Sequence, residues 1–176
     1  LAASPPAFWQ RVLGARQAAV RGLYLWGSVG RGKTFLMDLF FDGLPVEAKT
    51  RIHFHRFMQG IHAELRSLSG QSDPLRTVAE RIAAKTRVLC LDEFFVLDIG
   101  DAMILGNLLK ALFANGVCLL TTSNTAPANL YRNGLQRDRF LPAIALIEQH
   151  CEVIEMVSPT DWRLRALKQA PVYLVP

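Results

Sequence analysis

An eight-residue segment of this chain, residues 27–34 (GSVGRGKT), has the composition and spacing of a phosphate-binding loop. It fits the pattern G-x-x-x-x-G-K-[ST] and lies between an apolar run at 22–26 and a helix-like run at 34–40. Glycines let the backbone wrap around a polyphosphate, and the N-terminus of the following helix adds positive potential. An ordinary glycine-rich turn is the alternative, but the flanking strand and helix favour a nucleoside triphosphate. The predicted nucleotide-binding residues are Gly27, Ser28, Val29, Gly30, Arg31, Gly32, Lys33 and Thr34.

Four side chains would supply the chemistry of hydrolysis. Lys33 would reach the β- and γ-phosphates, and the Thr34 hydroxyl would hold a magnesium ion. Asp92 and Glu93 follow an apolar run, and ligands of parallel sheets bind beyond the carboxyl ends of the strands. Asp92 would fix magnesium through its water shell, while Glu93 would orient and deprotonate the attacking water. Solvent-facing acids at a strand end are the alternative, but with the upstream loop the pair favours hydrolysis over phosphotransfer.

Polar residues also end the next apolar run, and arginines follow it. Asn124 would hydrogen-bond the γ-phosphate or the attacking water, although Asn also ends strands in ordinary turns. Arg137 and Arg139 lie in the segment 131–140 (YRNGLQRDRF), which is either a solvated helix face or the source of an arginine finger. A finger acts on the nucleotide of a neighbouring subunit, so it predicts a homo-oligomer.

His53 and His55 lie two positions apart in the alternating run 51–55, which predicts a strand with both histidines on one face. A metal pair would need a third ligand at a sensible spacing, and no such residue is nearby. A structural or partner-contacting role is therefore the preferred interpretation.

Strand-like and helix-like segments alternate along the whole chain. We expect strands at 22–26, 51–55, 87–91, 117–122 and 152–156, and helices at 7–16, 34–41, 57–68, 73–85, 100–115, 127–132 and 137–149. This alternation predicts an α/β fold, with a parallel five-stranded sheet flanked by helices. We expect residues 1–20 to form a helical lead-in and residues 21–176 to form the nucleotide-binding core.

Composition narrows the class of protein. The 176 residues have the length of one domain, and the formal charge of +5 gives no direct evidence of nucleic-acid binding. No apolar run is long enough to span a membrane, and no signal peptide is visible. Cys90, Cys118 and Cys151 lie in or beside apolar runs without metal-binding spacing, so we expect reduced thiols and a cytoplasmic protein.

Seven segments together resemble one family, the AFG-like AAA+ ATPases. They are 21–34 (RGLYLWGSVGRGKT), 53–58 (HFHRFM), 91–96 (LDEFFV), 122–124 (TSN), 131–137 (YRNGLQR), 139–144 (RFLPAI) and 161–165 (DWRLR). The resemblance implies a P-loop NTPase core that binds ATP and Mg²⁺, with 27–34 as the Walker A motif. It also implies that Asp92 and Glu93 form the Walker B motif and that Asn124 is sensor 1.

The resemblance has biological implications as well. It implies a bacterial ATPase that acts on polymers of the tubulin-like protein FtsZ, is recruited to the division site and associates peripherally with the inner membrane. The family continues beyond Pro176 into a C-terminal lid, and this chain begins at Leu1 rather than Met. We therefore expect a fragment in which the lid is absent or truncated.

Two other functions fit the same motifs. A helicase-loader type AAA+ ATPase bound to single-stranded DNA shares this core and suits a mildly basic chain. An ATP-gated binding switch would order an interface with little turnover. Stimulation by single-stranded DNA with a steep salt dependence would favour the first, and slow hydrolysis with ATP-dependent partner binding would favour the second. The preferred hypothesis is a magnesium-dependent ATPase that remodels a protein partner by destabilising FtsZ polymers.

Overall fold

The computed structural model describes residues 20–157, and in this part of the chain five strands form one parallel sheet. The strands are β1 Gly22–Trp26, β2 Lys49–His53, β3 Val88–Asp92, β4 Cys118–Ser123 and β5 Cys151–Glu155. They are arranged in the order β2-β3-β4-β1-β5, and every neighbouring pair is parallel. The predicted five-stranded parallel sheet is therefore confirmed.

Helices connect the strands, as a parallel sheet requires. They are α1 Lys33–Gly43, α2 Phe54–Ser67, α3 Pro74–Ala83, α4 Ile99–Ala114 and α5 Leu141–His150, with short 3-10 turns at Pro127–Asn129 and Arg137–Arg139. As predicted, Asp73 caps α3: its carboxylate accepts a hydrogen bond from the backbone N–H of Arg76 at 3.3 Å. The expected helix at 7–16 lies outside the described residues.

The two faces of the sheet are buried by different helices. Side chains alternate across a strand, so Cys90 and Leu120 point to one face, where Met37 of α1 packs on them. Leu89 and Leu91 point to the other face and join a large buried cluster with α2, α3, α4 and α5. Burial on both faces explains why β3 is apolar up to its last residue and why β4 begins with an apolar run. The parallel pairing of the strands places their carboxyl ends at one edge of the sheet.

The strand predicted at 51–55 is shifted in the structure, and the expectation for His55 is wrong. β2 ends at His53, which pairs with Asp92, the last residue of β3. Because the ladder has no partner beyond that point, the chain turns directly into α2 at Phe54, whose ring is buried against Phe94. His55 therefore lies in the first turn of a helix and does not share a strand face with His53.

The helices expected at 127–132 and 137–149 are shorter than predicted. The first is a single 3-10 turn, Pro127–Asn129, and it is followed by Tyr131 in the left-handed region with φ 51°. The second begins only at Leu141, because Pro142 lacks a backbone donor and is accommodated in a first helical turn rather than in a helix interior. Arg137 and Arg139 therefore lie on a separate 3-10 turn.

The three cysteines are free thiols, as expected. Burial raises the pKa of Cys90 to about 11 and that of Cys151 to about 12. Cys118 is only half-buried, and burial also raises its pKa. No helix within residues 20–157 combines the length and hydrophobicity needed to cross a bilayer.

Candidate nucleotide-binding site

The predicted phosphate-binding loop, residues 27–34, connects β1 to α1 with backbone angles that favour glycine. Gly27 has φ 151°, and a Cβ there would lie 2.7 Å from the carbonyl oxygen of Met156. Gly32, with φ 81°, occupies the N-cap of α1, where no side chain caps the helix and no acidic residue occupies the first turn. The first backbone N–H groups of α1 are therefore left to an anion, and the helix N-terminus supplies positive potential.

Two cations lie along this loop. Lys33 Nζ donates hydrogen bonds to the carbonyl oxygens of Gly27 at 2.6 Å and Ser28 at 2.9 Å. Arg31 Nε donates to the Ser28 hydroxyl at 2.8 Å. Both side chains line the same cavity, so the positive charge is concentrated where the sequence predicts a polyphosphate.

A cavity of about 670 Å³ lies between this loop and the ends of β3 and β4. It is lined by Val29, Gly30, Arg31, Gly32, Lys33, Thr34, Phe35, Glu93, Thr122, Ser123 and Asn124. Its volume is within the range of small-molecule sites, and its position beyond the carboxyl ends of parallel strands is the usual one for ligands. The structure thus brings together residues that are separated by up to about a hundred positions in the sequence.

The two adjacent acids, Asp92 and Glu93, have different surroundings. Asp92 is the last residue of β3 and is 6% exposed, and its Oδ2 accepts a hydrogen bond from Arg51 Nε at 2.7 Å. Glu93 has φ 56°, which turns the backbone out of the strand, and its side chain is 81% exposed and lines the cavity. The Thr122 hydroxyl accepts from the Glu93 N–H at 3.1 Å and so holds this bend. Only Glu93 faces the cavity.

The side-chain oxygens of Thr34 and Asp92 are of the type that binds a magnesium ion. Both residues offer hard oxygen ligands, and Asp92 Oδ1 has only a long contact of 3.5 Å, from the Thr122 hydroxyl. No group of three or more His, Cys, Asp or Glu side chains within residues 20–157 could hold a metal alone. Magnesium is usually bound by one or two carboxylates together with substrate phosphates and water, so the Asp92 carboxylate and the Thr34 hydroxyl are of the ligand types that it takes.

Asn124 lies directly after β4 and lines the same cavity as Glu93. The carbonyl oxygen of Ser123 accepts a hydrogen bond from the Gly27 N–H at 3.2 Å, which ties the end of β4 to the phosphate-binding loop. A second cavity, of about 860 Å³, extends between the start of α2 and the loop before α4 and shares Glu93 and Asn124. These two residues therefore stand between the predicted nucleotide site and a larger, mainly apolar recess.

The two arginines are not brought to this cavity. Arg137 is half-buried, and its NH2 group donates to the carbonyl oxygen of Ala128 at 2.8 Å. The Arg139 side chain is exposed and makes no hydrogen bond or ion pair with any residue in the described range. Since neither lines the cavity of its own chain, either could act on a nucleotide only from a neighbouring subunit.

Three residues near the site had no catalytic role in the sequence interpretation. Arg51 contacts Asp92 and also Asp38 of α1, while His53 Nδ1 lies 3.9 Å from Glu93 Oε2. The sequence did contain a signal for Arg51, which lies inside a predicted strand. A charged residue in a half-buried strand usually has a partner of opposite charge. His55, by contrast, contacts Gln59 of its own helix at 3.0 Å.

Comparison with solved structures identifies the same fold. DnaI aligns with a TM-score of 0.57 at 23% identity, covering 89% of this chain and 81% of that one. DnaA from Aquifex aeolicus, solved with AMPPCP bound, aligns with a TM-score of 0.55 at 17% identity, covering 91% and 48%. The chain therefore shares the fold of these proteins, a parallel sheet flanked by helices.

Sequence comparison is more specific. The cell division protein ZapE of Escherichia coli K12 is 58% identical over 168 residues, which are 96% of this chain and 45% of ZapE. The chain thus spans about half the length of that relative. The family model described as AFG1-like ATPase matches residues 1–176, that is, from the first residue to the last. On this evidence the chain belongs to the AFG1-like ATPase family.

Proposed function

We propose that this chain is the nucleotide-binding core of a magnesium-dependent ATPase that couples ATP binding and hydrolysis to remodelling of a protein partner. One observation carries the proposal: Lys33, Thr34, Glu93 and Asn124 line a single cavity of about 670 Å³ at the carboxyl edge of the sheet. A positively charged loop, a candidate base and a candidate γ-phosphate sensor are the components that phosphoryl transfer to water needs.

Each residue has a separate role in this proposal. The loop amides and Lys33 bind the phosphates, and Asn124 contacts the γ-phosphate or the attacking water. Glu93, which is exposed to solvent within the cavity, orients that water and accepts its proton. Thr34 and Asp92 would hold magnesium, which when bound would neutralise charge on the β- and γ-phosphates.

The oligomer completes the site in this proposal. An arginine from the 3-10 turn Arg137–Arg139 of one subunit reaches the γ-phosphate in the next and stabilises the charge that develops during transfer. Arg137 is held by Ala128 of its own chain, whereas Arg139 is exposed and makes no such bond, which supports Arg139 as the finger.

The partner is inferred from the relative. ZapE is named a cell division protein, and we propose that the protein containing this chain acts in bacterial division by destabilising FtsZ polymers at the inner membrane. The test is sedimentation of FtsZ polymers with the complete protein, with and without ATP. Less polymer in the pellet with ATP would support the proposal. Polymer that is unaffected in both conditions would contradict the division role, and a response to single-stranded DNA instead would favour a helicase loader.

The enzymatic part is tested independently of the partner. In the complete protein, Lys33→Ala should abolish ATP binding, because the amine supplies the charge that holds the β- and γ-phosphates. Glu93→Gln should retain ATP and lose turnover, because the amide cannot accept the proton of the attacking water. Binding is measured with a fluorescent ATP analogue and turnover by phosphate release. Wild-type turnover by the Glu93→Gln protein would exclude Glu93 as the base.

A further inference from the structure

Arg51 makes a bridge between two parts of the proposed site. It lies on β2, and its side chain is 21% exposed. Its Nε donates to Asp92 Oδ2 at 2.7 Å, and its NH1 contacts Asp38 Oδ1 on α1. The bridge therefore joins the end of β3, which carries the acids, to the helix that begins with the predicted phosphate-binding lysine.

The position of Asp38 makes this bridge relevant to magnesium. Asp38 follows Thr34 by four residues in α1, so the two side chains lie on the same side of the helix, one turn apart. Asp92 is the other candidate magnesium ligand. A single guanidinium group thus connects a candidate ligand on β3 with the helical face that carries the candidate ligand Thr34.

The charge of Arg51 compensates the carboxylates of Asp92 and Asp38, so another side chain would not easily take its place. The Asp92 side chain is only 9% exposed, and a buried carboxylate without a partner is costly. Burial lowers the pKa of the Arg51 guanidinium, but the hydrogen bonds to Asp92 and Asp38 outweigh this effect, and its pKa is raised overall. A guanidinium group can hold two carboxylates with separate N–H groups in fixed directions, whereas a lysine ammonium is a point charge on a flexible chain.

We propose that Arg51 is a positioning residue of the magnesium–triphosphate site: by bridging Asp38 and Asp92, it sets the position of the Asp92 carboxylate relative to Thr34. This inference rests on the proposed ATPase function. Arg51 donates a hydrogen bond to Oδ2 of Asp92. The other oxygen, Oδ1, has one long contact, at 3.5 Å from the Thr122 hydroxyl. Oδ1 is therefore the Asp92 oxygen that would be available to the water shell of a magnesium ion.

The test measures metal binding separately from turnover. Complete proteins carrying Arg51→Lys or Asp38→Asn are titrated with Mn²⁺ in the presence of AMPPCP, and bound Mn²⁺ is followed by electron paramagnetic resonance. AMPPCP affinity is measured in parallel in EDTA. We expect Arg51→Lys to weaken Mn²⁺ binding by about tenfold or more, as for other residues that orient a metal ligand, with AMPPCP affinity in EDTA within about threefold of wild type.

Two further variants make the result specific. Asp38→Asn should weaken Mn²⁺ binding in the same direction, and the double variant should be no worse than Arg51→Lys alone, because both changes break one bridge. Arg76→Lys is the matched control, since Arg76 forms an exposed ion pair with Glu80 at 3.4 Å in α3. Its Mn²⁺ affinity should equal that of wild type.

Three results would decide against the inference. Wild-type Mn²⁺ affinity in both Arg51→Lys and Asp38→Asn would overturn it, and so would an equal loss of AMPPCP affinity with and without metal, which indicates general damage to the fold. Failure of the wild-type protein to bind AMPPCP with Mn²⁺ would overturn the proposed function itself and this inference with it.

Discussion

His53 Nδ1 lies 3.9 Å from Glu93 Oε2, at the carboxyl ends of the adjacent strands β2 and β3. Both side chains are largely exposed, at 59% and 81%. The parallel ladder produces this contact, because it pairs His53 with Asp92 and places Glu93 one residue further along. We propose that the imidazole restricts the directions that the exposed Glu93 carboxylate can take.

This contact predicts a defect in turnover rather than in binding. His53→Ala should lower kcat for ATP hydrolysis by about three- to tenfold, because a poorly oriented base loses part of its catalytic advantage. ATP affinity should change by less than about twofold. His55→Ala is the control, since His55 contacts Gln59 and not Glu93. Unchanged kcat in His53→Ala, or an equal loss in both variants, would argue against a role for His53.

Replacing Arg137 or Arg139 with alanine should have different effects on the protein. Arg139→Ala should lower kcat on the order of a thousandfold with ATP affinity retained, as expected for a finger that acts only on the transition state. Arg137→Ala should mainly lower the free energy of unfolding, by about 1 kcal/mol, because it removes the hydrogen bond to Ala128. Turnover is measured by phosphate release and stability by urea denaturation.

Mixing experiments show whether the finger acts between subunits. A Glu93→Gln subunit retains Arg139, and an Arg139→Ala subunit retains Glu93, so a mixed oligomer contains some complete sites. Mixing the two inactive proteins should therefore restore part of the ATPase activity. The assignment would pass to Arg137 if Arg139→Ala were active and Arg137→Ala were folded but inactive.

Gly134 supports the shape of the loop that carries these arginines. The Tyr131 hydroxyl donates to the carbonyl oxygen of Leu135 at 3.0 Å, and a Cβ on Gly134 would lie 2.1 Å from Tyr131 Cζ. Gly134→Ala should lower the free energy of unfolding by about 1 to 3 kcal/mol through overpacking, as measured by urea denaturation. Gly60→Ala is the control, because Gly60 lies in α2 and an added Cβ there would point into open space. That variant should gain up to about 1 kcal/mol, and equal losses in both would contradict the prediction.

The buried thiols predict a dependence of stability on pH. Burial raises the pKa of Cys90 to about 11 and that of Cys151 to about 12, whereas an unfolded cysteine titrates near about 8.5. The folded state therefore binds these protons more tightly, and its free energy of unfolding should fall as the pH rises above about 8.5 towards the folded pKa values. At pH 8 both thiols should react with iodoacetamide far more slowly in folded than in denatured protein. Equal rates for the two states, measured by mass spectrometry, would refute this.

Local patterns were sufficient to predict much of the fold. The apolar runs at 22–26 and 87–91 correspond to strands of the sheet, and the Asp73 cap lies where its residue type and the following proline predict it. These features depend on backbone preferences and periodicity over a few residues. The strand expected at 51–55 lies two residues earlier, at Lys49–His53, because Phe54 is buried on a helix, and burial alone does not distinguish a strand from a helix.

The amino-acid sequence by itself determined which segments form strands and helices and which residue types follow each strand, because these depend on neighbours along the chain. Only the tertiary structure decided which side chains meet. Arg51 lies 13 residues from Asp38 and 41 from Asp92, and it contacts both only because β2 pairs with β3 while α1 packs across the sheet. Likewise, Asp92 and Glu93 are neighbours in sequence, but the left-handed backbone at Glu93 directs one acid to Arg51 and the other to the cavity.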